Sequence, residues 1–264
     1  MNKISQKPLD AHKMVYYRDL VLEMISRDLK LRYKGSLLGV IWSLLLPLTQ
    51  LLVFTFLFRR VIQLDIPNYP IFVFIGVLAW NWFQTSLVAA SGSITDNRDL
   101  IKRPGFPTLL LPVITVATNL IQFLLALPVL LVFLYLSGGQ LTLSFLLLPL
   151  ILLIQFLFTV SLGYLTATFQ VSFRDTQHLL GVLLLLLFYL TPVFYDAGFV
   201  PTRFLPVYRL NPMMHIIGAY RNILSKGEPP DFAAIGIVFT ASALLLWIGL
   251  TVFRRASDTF VEEL

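Results

Sequence analysis

The 264-residue chain contains no cysteine. Disulfides, thiolate metal sites and thiol nucleophiles are excluded, and cysteine usage says nothing about the redox compartment. Charge is also scarce. Asp, Glu, Lys and Arg make up 13% of the residues, against roughly 25% in soluble domains. Between Pro104 and Phe173 there is no charged residue at all. With 57% hydrophobic residues, this composition specifies an integral membrane protein. There is no Gly-rich Walker loop, so ATP is not bound by that device. His12, His178 and His215 are far apart and form no H-E-x-x-H pattern, which leaves no metal site to expect. The apolar runs hold no charge at their centres, whereas ion-coupled carriers keep ionisable groups within the membrane and membrane enzymes need acid–base groups. No catalytic residue, metal or cofactor is expected on this chain. The net charge of +6 fits basic residues flanking membrane spans better than nucleic-acid binding. Residues 1–17 lack the apolar run of a signal peptide, and no repeat of 20–50 residues occurs.

What the chain does contain is a polar N-terminal part, 1–35, followed by one membrane domain, 36–264. Met14–Lys34 suits an amphipathic helix: Tyr17, Val21, Ile25, Leu29 and Tyr33 recur at i+4 opposite Asp19, Glu23, Arg27, Lys30 and Lys34. Arg18, Asp28 and Arg32 interrupt its apolar face, and Asp28 and Arg32 are spaced to pair. Six spans follow, near 37–58, 70–91, 108–136, 141–169, 179–195 and 232–253, each judged against about 30 Å of hydrocarbon. Pro47 falls inside the first and should kink it. Ser137-Gly138-Gly139-Gln140 separates the third from the fourth. Residues 196–230 carry five prolines, at 201, 206, 212, 229 and 230, yet stay apolar and aromatic. They suit short helices that re-enter or lie on the membrane, where irregular backbone must be covered by protein or line a cavity. The fold expected is therefore all-α and integral to the membrane.

An even number of spans puts both termini on one side. Basic residues concentrate before Leu37, in 93–107, at Arg174 and at Arg254–Arg255, while the other side carries Arg59, Arg60, Arg203, Arg209, Arg221 and Lys226. The excess of Lys and Arg on cytoplasmic loops places both termini in the cytoplasm. Asn81, Gln84, Asn119, Gln122, Gln155 and Gln170 lie inside spans, suited to interhelical hydrogen bonds or to a polar passage. A hydrophobic path without internal charge needs an outside energy source, and the cytoplasmic loops offer handles for a soluble motor.

Three motifs carry a family resemblance. They are Arg27-Asp28-Leu29-Lys30-Leu31-Arg32-Tyr33-Lys34-Gly35-Ser36-Leu37-Leu38-Gly39 with Trp42 and Pro47; Phe173-Arg174-Asp175 before a span ending Thr191-Pro192-Val193-Phe194-Tyr195; and Leu210-Asn211-Pro212-Met213-Met214-His215-Ile216-Ile217 with Tyr220-Arg221. In this order and spacing the chain resembles the permease subunit of type-2 ABC exporters in the branch that exports lipid-linked polysaccharides (O-antigen, capsule, teichoic acid). The resemblance implies a homodimer in the bacterial cytoplasmic (inner) membrane, bound to two ATP-binding subunits that carry ATP and Mg, with the glycan passing at the dimer interface. It implies that the N-terminal helix is an interface helix, that 93–107 is a coupling helix, and that re-entrant helices lie between spans five and six. In that frame Arg27, Asp28, Arg32, Arg98, Asp99, Lys102 and Arg103 are candidates for ATPase contact, the alternative for the loop being a solvated basic segment. Trp80, Trp82, Phe83, Tyr164, Phe169, Tyr189 and Tyr195 are candidates to line the channel, where aromatic faces can stack on sugar rings; the alternative is core packing. Rival functions are export of a small amphiphile or drug, a membrane glycosyl- or acyltransferase, and a non-transport scaffold.

Overall fold

The computed structural model describes residues 7–35, 41–63, 65–103, 105–138, 142–257 and 260. The Ser36–Gly39 part of the first motif, the start of the first span and part of the Ser137–Gln140 divider lie outside them. Among the described residues the chain is helical, without strands. Its helices are α1 (Lys7–Tyr33), α2 (Ile41–Thr55), α3 (Tyr69–Gly92), α4 (Arg98–Ile101), α5 (Leu110–Leu136), α6 (Leu148–Ser172), α7 (Thr176–Leu190), α8 (Leu205–Arg209), α9 (Pro212–Arg221) and α10 (Phe232–Ser257). A π-turn, Phe56–Val61, continues α2, and another, Asn222–Lys226, follows α9. Among the described residues, five helical stretches are long and apolar enough to cross a membrane, and Thr176–Leu190 is a shorter apolar helix. The protein is thus a multi-pass membrane protein.

The boundaries differ from the expected ones in ways that local chemistry explains. The fifth apolar helix begins at Thr176 and stops at Leu190, short of Tyr195. Pro192 lacks an N–H and disfavours helical geometry at Thr191, which is extended at φ −92°, ψ 138°. The last helix runs on through Arg254 and Arg255, because cations favour the negative end of the helix dipole. Pro47 and Pro128 are accommodated within α2 and α5.

α3 is the central rod. Residues Ile71 to Trp80 are buried without interruption, as expected of a helix apolar on all sides. α5 and α6 flank it and α10 lies along α6. Polar side chains tie these helices together. Gln155 Nε2 donates to Ala79 O at 2.8 Å, and Asn81 Nδ2 donates to Gln50 Oε1 at 2.9 Å. Small residues permit close contact: a Cβ on Gly249 would lie 2.9 Å from Ser161 O. Two apolar clusters divide the interior. One surrounds Val73, Trp80 and Ile216; the other, toward the end bearing α1 and α4, surrounds Ile94, Tyr164 and Phe253.

At the opposite end a buried cation organises the packing. Arg221, 7% exposed, donates through Nε to Phe72 O (3.3 Å), through Nη1 to Pro192 O (2.7 Å) and through Nη2 to Val193 O (2.6 Å). Its guanidinium also lies 3.4 Å from the Phe72 ring centroid, a cation–π geometry. Burial lowers its pKa to about 9, opposed by the charge of Asp196, so it remains a cation at neutral pH. These contacts pin the end of α9 to α3 and to the turn that ends α7. Gly76 makes the approach possible, since a Cβ there would overlap Val193 O and lie 2.8 Å from Arg221 Nη2. Gly76→Ala should therefore destabilise the purified protein by about 1–3 kcal/mol, as overpacking does. Gly218→Ala, on α9 with nothing within 4 Å of an added Cβ, should leave stability equal or raise it. Thermal unfolding in detergent checks both, and equal melting of the two variants would refute the close-packing argument.

Candidate functional site

Two regions collect the chemistry, one at each end of α3. At the first end, α1 packs against the body through Met24, with Leu20, Val21 and Ile25 partly covered. The expected Asp28–Arg32 pair is absent. Asp28 instead pairs with its neighbour Arg27 at 2.9 Å. Arg27 Nη2 also donates to Asn97 Oδ1 at 3.1 Å, and Arg32 Nη1 donates to Asn119 Oδ1 at 3.1 Å. The physical reason is burial. Asn119 is 2% exposed, and its Nδ2 is already held by Thr115 O, so its carbonyl is a fixed, largely dehydrated acceptor. A hydrogen bond from a cation to such a group exceeds the yield of a solvated i,i+4 ion pair. Arg32, which interrupts the apolar face of α1, thus fastens the helix to α5, and Arg27, from its polar stripe, fastens it to the loop after α3.

That loop makes a 3₁₀ turn, Thr95–Asn97, and then the one-turn helix α4. Ile94 and Ile101 point inward and are buried, while Arg98, Asp99, Lys102 and Arg103 are exposed. Asn97 Nδ2 donates to Ser93 O, and Arg98 Nε donates to Thr95 O, so local bonds shape the loop. Alongside, Glu23, Arg27, Lys30 and Lys34 border a recess of about 590 Å³. The sequence-selected charges therefore occupy one end, in two adjoining elements linked by Arg27 and Asn97.

The aromatic candidates divide. Trp80 and Phe83 pack edge to face, with centroids 5.5 Å apart, and border an apolar cavity of about 490 Å³ with Phe158, Leu184, Leu187 and Met213. From Trp80 the rings continue to Phe188 (5.8 Å), Phe194 (5.6 Å further) and Tyr195 (5.2 Å further). Tyr189 meets both Phe188 and Phe194. This ladder ends at a hollow of about 390 Å³ bordered by Phe58, Phe194, Tyr195, Phe199, Phe204 and Tyr208. There the Tyr195 hydroxyl donates to Tyr189 O at 3.1 Å and lies 3.4 Å from the Tyr208 hydroxyl. Burial, reinforced by Tyr208, raises the Tyr195 pKa above that of an ordinary phenol, so it stays a neutral hydrogen-bonding group.

The other three aromatics stand apart. Trp82 turns to α5 and packs on Phe123 at 5.3 Å. Tyr164 lies toward the α1 end, its hydroxyl donating to Leu109 O at 2.8 Å and its ring packing edge-on with Phe253. Phe169, half exposed, borders a recess of about 800 Å³ with Phe173, Arg174, Asp175 and Leu180.

Several residues that build these regions were not chosen as site candidates from the sequence, Phe194 and Arg221 entering as members of motifs. Phe54, Phe58, Phe188 and Phe194 are ordinary apolar residues within apolar runs, and only tertiary contact gathers them. Phe194 lies between Phe54 and Phe58, 5.2 Å from each, and its carbonyl accepts from the Tyr69 hydroxyl at 2.7 Å. Arg221 had a usable signal, a cation directly after the apolar helical run Met213–Tyr220, because such a charge requires buried partners.

Comparison with known proteins agrees with this architecture. The ABC-2 type transporter family matches residues 19–225. The O-antigen export system permease protein RfbA of Myxococcus xanthus is 37% identical over 257 residues, 96% of this chain and 98% of that protein. A protein of the same name from Klebsiella pneumoniae is 31% identical over 254 residues, 96% of this chain and 98% of that protein. The polysialic acid transport protein KpsM of Escherichia coli is 21% identical over 244 residues, 90% of this chain and 93% of that protein. With a family match over most of its length and relatives at this identity, the chain belongs to the ABC-2 type transporter family.

Proposed function

We propose that the chain is the permease subunit of an ABC transporter that exports a lipid-linked polysaccharide across the bacterial inner membrane, powered by ATP hydrolysis on separate subunits. The observation that carries this reading is near-full-length similarity to proteins named as O-antigen export permeases. Export of a small amphiphile would use the same motor. The names of the relatives favour the glycan; Trp80, Phe83, Phe188 and Phe194 are buried against one another in the core, and of the ladder's rings Tyr189 is the one exposed for stacking on a sugar. Purification of the chain with its ATP-binding partner, followed by mass spectrometry of co-purified lipid, should find a lipid-linked glycan. A complex carrying only phospholipid, or no ATP-binding partner, would reject the reading.

Two copies of the chain and two ATP-binding subunits form the working unit, and both termini face the cytoplasm. Lys30, Lys34, Arg98, Asp99, Lys102 and Arg103 then face the ATPase, while Arg27, Asp28 and Arg32 hold α1 in the register that presents them. The chain is not itself an enzyme, and ATP and Mg belong to its partner. Because there is no native cysteine, His12→Cys gives a clean label site. An impermeant thiol reagent added to intact cells should leave it unmodified, and external labelling would invert the topology.

The Arg27–Asn97 contact separates positioning from simple charge. Asn97→Ala removes the acceptor without changing charge, and should lower transport-stimulated ATPase activity several-fold while membrane insertion is kept. Combined Arg98→Ala and Lys102→Ala should weaken association with the ATPase itself. Wild-type coupling in both variants would exclude this end as the ATPase seat.

The outer aromatic hollow makes a further prediction. Phe204→Ala and Tyr208→Ala enlarge it and remove stacking faces, and should slow export of long glycans more than short ones, with complex assembly unchanged. Glycan length profiles on gels check this; a uniform effect on all lengths would point to a stability defect.

A further inference from the structure

The turn from Thr191 to Asp196 has two faces. Phe194 and Tyr195 look into the aromatic hollow. Pro192 and Asp196 look the other way, into a cavity of about 220 Å³ with a mixed polar and apolar lining, whose wall includes Arg221. His215, Asn222, Ser225, Lys226 and Asp231 complete its polar lining. Exposed Glu228, Pro229 and Asp231 beside it place its mouth at the aqueous edge of the molecule.

Asp196, Asp231, Arg221 and His215 are oriented by the fold and have capacity left. Asp196 Oδ1 accepts from Gly198 N at 2.7 Å, and Asp231 Oδ1 accepts from Ala233 N at 3.0 Å and Ala234 N at 3.1 Å. Those bonds fix both carboxylates, while each retains a second oxygen that can accept. Arg221 commits three N–H groups to backbone carbonyls, of the five a guanidinium carries. His215 Nε2 is engaged with Arg209 O at 2.7 Å, which leaves Nδ1. Two cations, Arg221 and Lys226, face two anions, Asp196 and Asp231, so the lining has no net formal charge.

We propose that this cavity binds one neutral sugar ring. Adjacent hydroxyls donate to the carboxylates and accept from the guanidinium and ammonium, a match that neither a bare anion nor a bare cation achieves in a lining of balanced charge. The volume lies below the range of about 300–1,000 Å³ typical of drug-sized sites, which suits a single ring rather than an oligosaccharide. The site is separate from the ring ladder and lies across the turn from it. Arg221 holds the carbonyls of Pro192 and Val193, so a sugar in the cavity touches the same cation that sets the position of Phe194 and Tyr195. Occupancy and the shape of the aromatic hollow are therefore linked.

The ring can come from the exported chain or from a glycosylated lipid. The first source rests on the export reading above; the chemistry of the cavity does not. The test uses the intact complex with its ATP-binding partner in phosphatidylcholine nanodiscs. Glucose, galactose, mannose and N-acetylglucosamine are titrated and followed by saturation-transfer NMR. At least one should bind saturably. Asp231→Asn and Lys226→Gln should each weaken binding about tenfold or more, as expected for loss of a charged hydrogen-bond partner. Asn at 231 keeps a carbonyl for the Ala233 and Ala234 N–H groups, so the helix cap survives, and equal melting temperatures verify the fold. Tyr208→Ala, which alters the hollow alone, should weaken this binding far less than Asp231→Asn does.

Absence of saturable binding by all four sugars overturns the proposal. So does binding that is lost in Tyr208→Ala but kept in Asp231→Asn, which would put the sugar in the hollow. Saturable binding of inorganic phosphate or phosphoethanolamine in place of sugar also overturns it. Tighter binding of oligosaccharide fragments of the exported glycan identifies the chain as the source, and tighter binding of a glycolipid identifies the membrane; either supports the cavity. Export measured on the same complex separates the two claims. Export without sugar binding rejects the cavity alone, and sugar binding without export rejects the transport reading alone.

Discussion

The guanidinium of Arg221 is buried among backbone carbonyls rather than against a carboxylate, and the far end of the molecule depends on that arrangement. An isolated cation is costly to remove from water. Here the cost is offset by three charge-assisted bonds and the face of Phe72. Two of the carbonyls it holds, those of Pro192 and Val193, lie in the turn where Pro192 ends α7, and the third, Phe72 O, lies within α3. One side chain thus satisfies the polar groups freed by the helix break and fastens three separate segments. Gly76 is small because the turn must come this close, and Phe194 meets Phe54, Phe58 and Phe188 because the turn is held there.

The other end follows a similar rule on α1. Arg32 and Arg27 reach buried or half-buried amide oxygens on neighbouring elements. Between the two ends lies α3. Its C-terminal end leads into the loop that contacts Arg27, and its N-terminal end carries Phe72 and Tyr69, which meet Arg221 and Phe194. A buried, close-packed helix is stiff. α3 thus joins the α4 loop to the aromatic turn through a single buried, close-packed helix.

Much of the fold was legible in the sequence. The apolar runs, the turn residues and the basic flanks located the membrane helices to within a few residues, because hydrocarbon thickness and backbone hydrogen bonding admit few solutions. The charged candidates were legible as a group, since cations on α1 and in 93–107 contrast with uncharged surroundings. Their pairing was not. Spacing suggests Asp28 with Arg32, whereas Asn119, 87 residues away in sequence, supplies the partner. The aromatic set was legible in part. Trp80, Phe83, Tyr189 and Tyr195 come together in one ring ladder, with Trp80 and Phe83 buried in the core, while Trp82, Tyr164 and Phe169 lie elsewhere. The direction in which a ring points on an all-apolar helix is set by neighbours that periodicity does not reveal, and Phe194, where several rings converge, looks like any other residue of its run.

The account holds that the turn after α7 is positioned by one buried cation. The most direct test reconstitutes the chain and its ATP-binding partner in proteoliposomes, with either Arg221 or Arg221→Met, and measures ATP-driven appearance of lipid-linked glycan on the far side. The account predicts that the variant assembles and hydrolyses ATP but moves glycan at a small fraction of the wild-type rate. Export by Arg221→Met at the wild-type rate would contradict it.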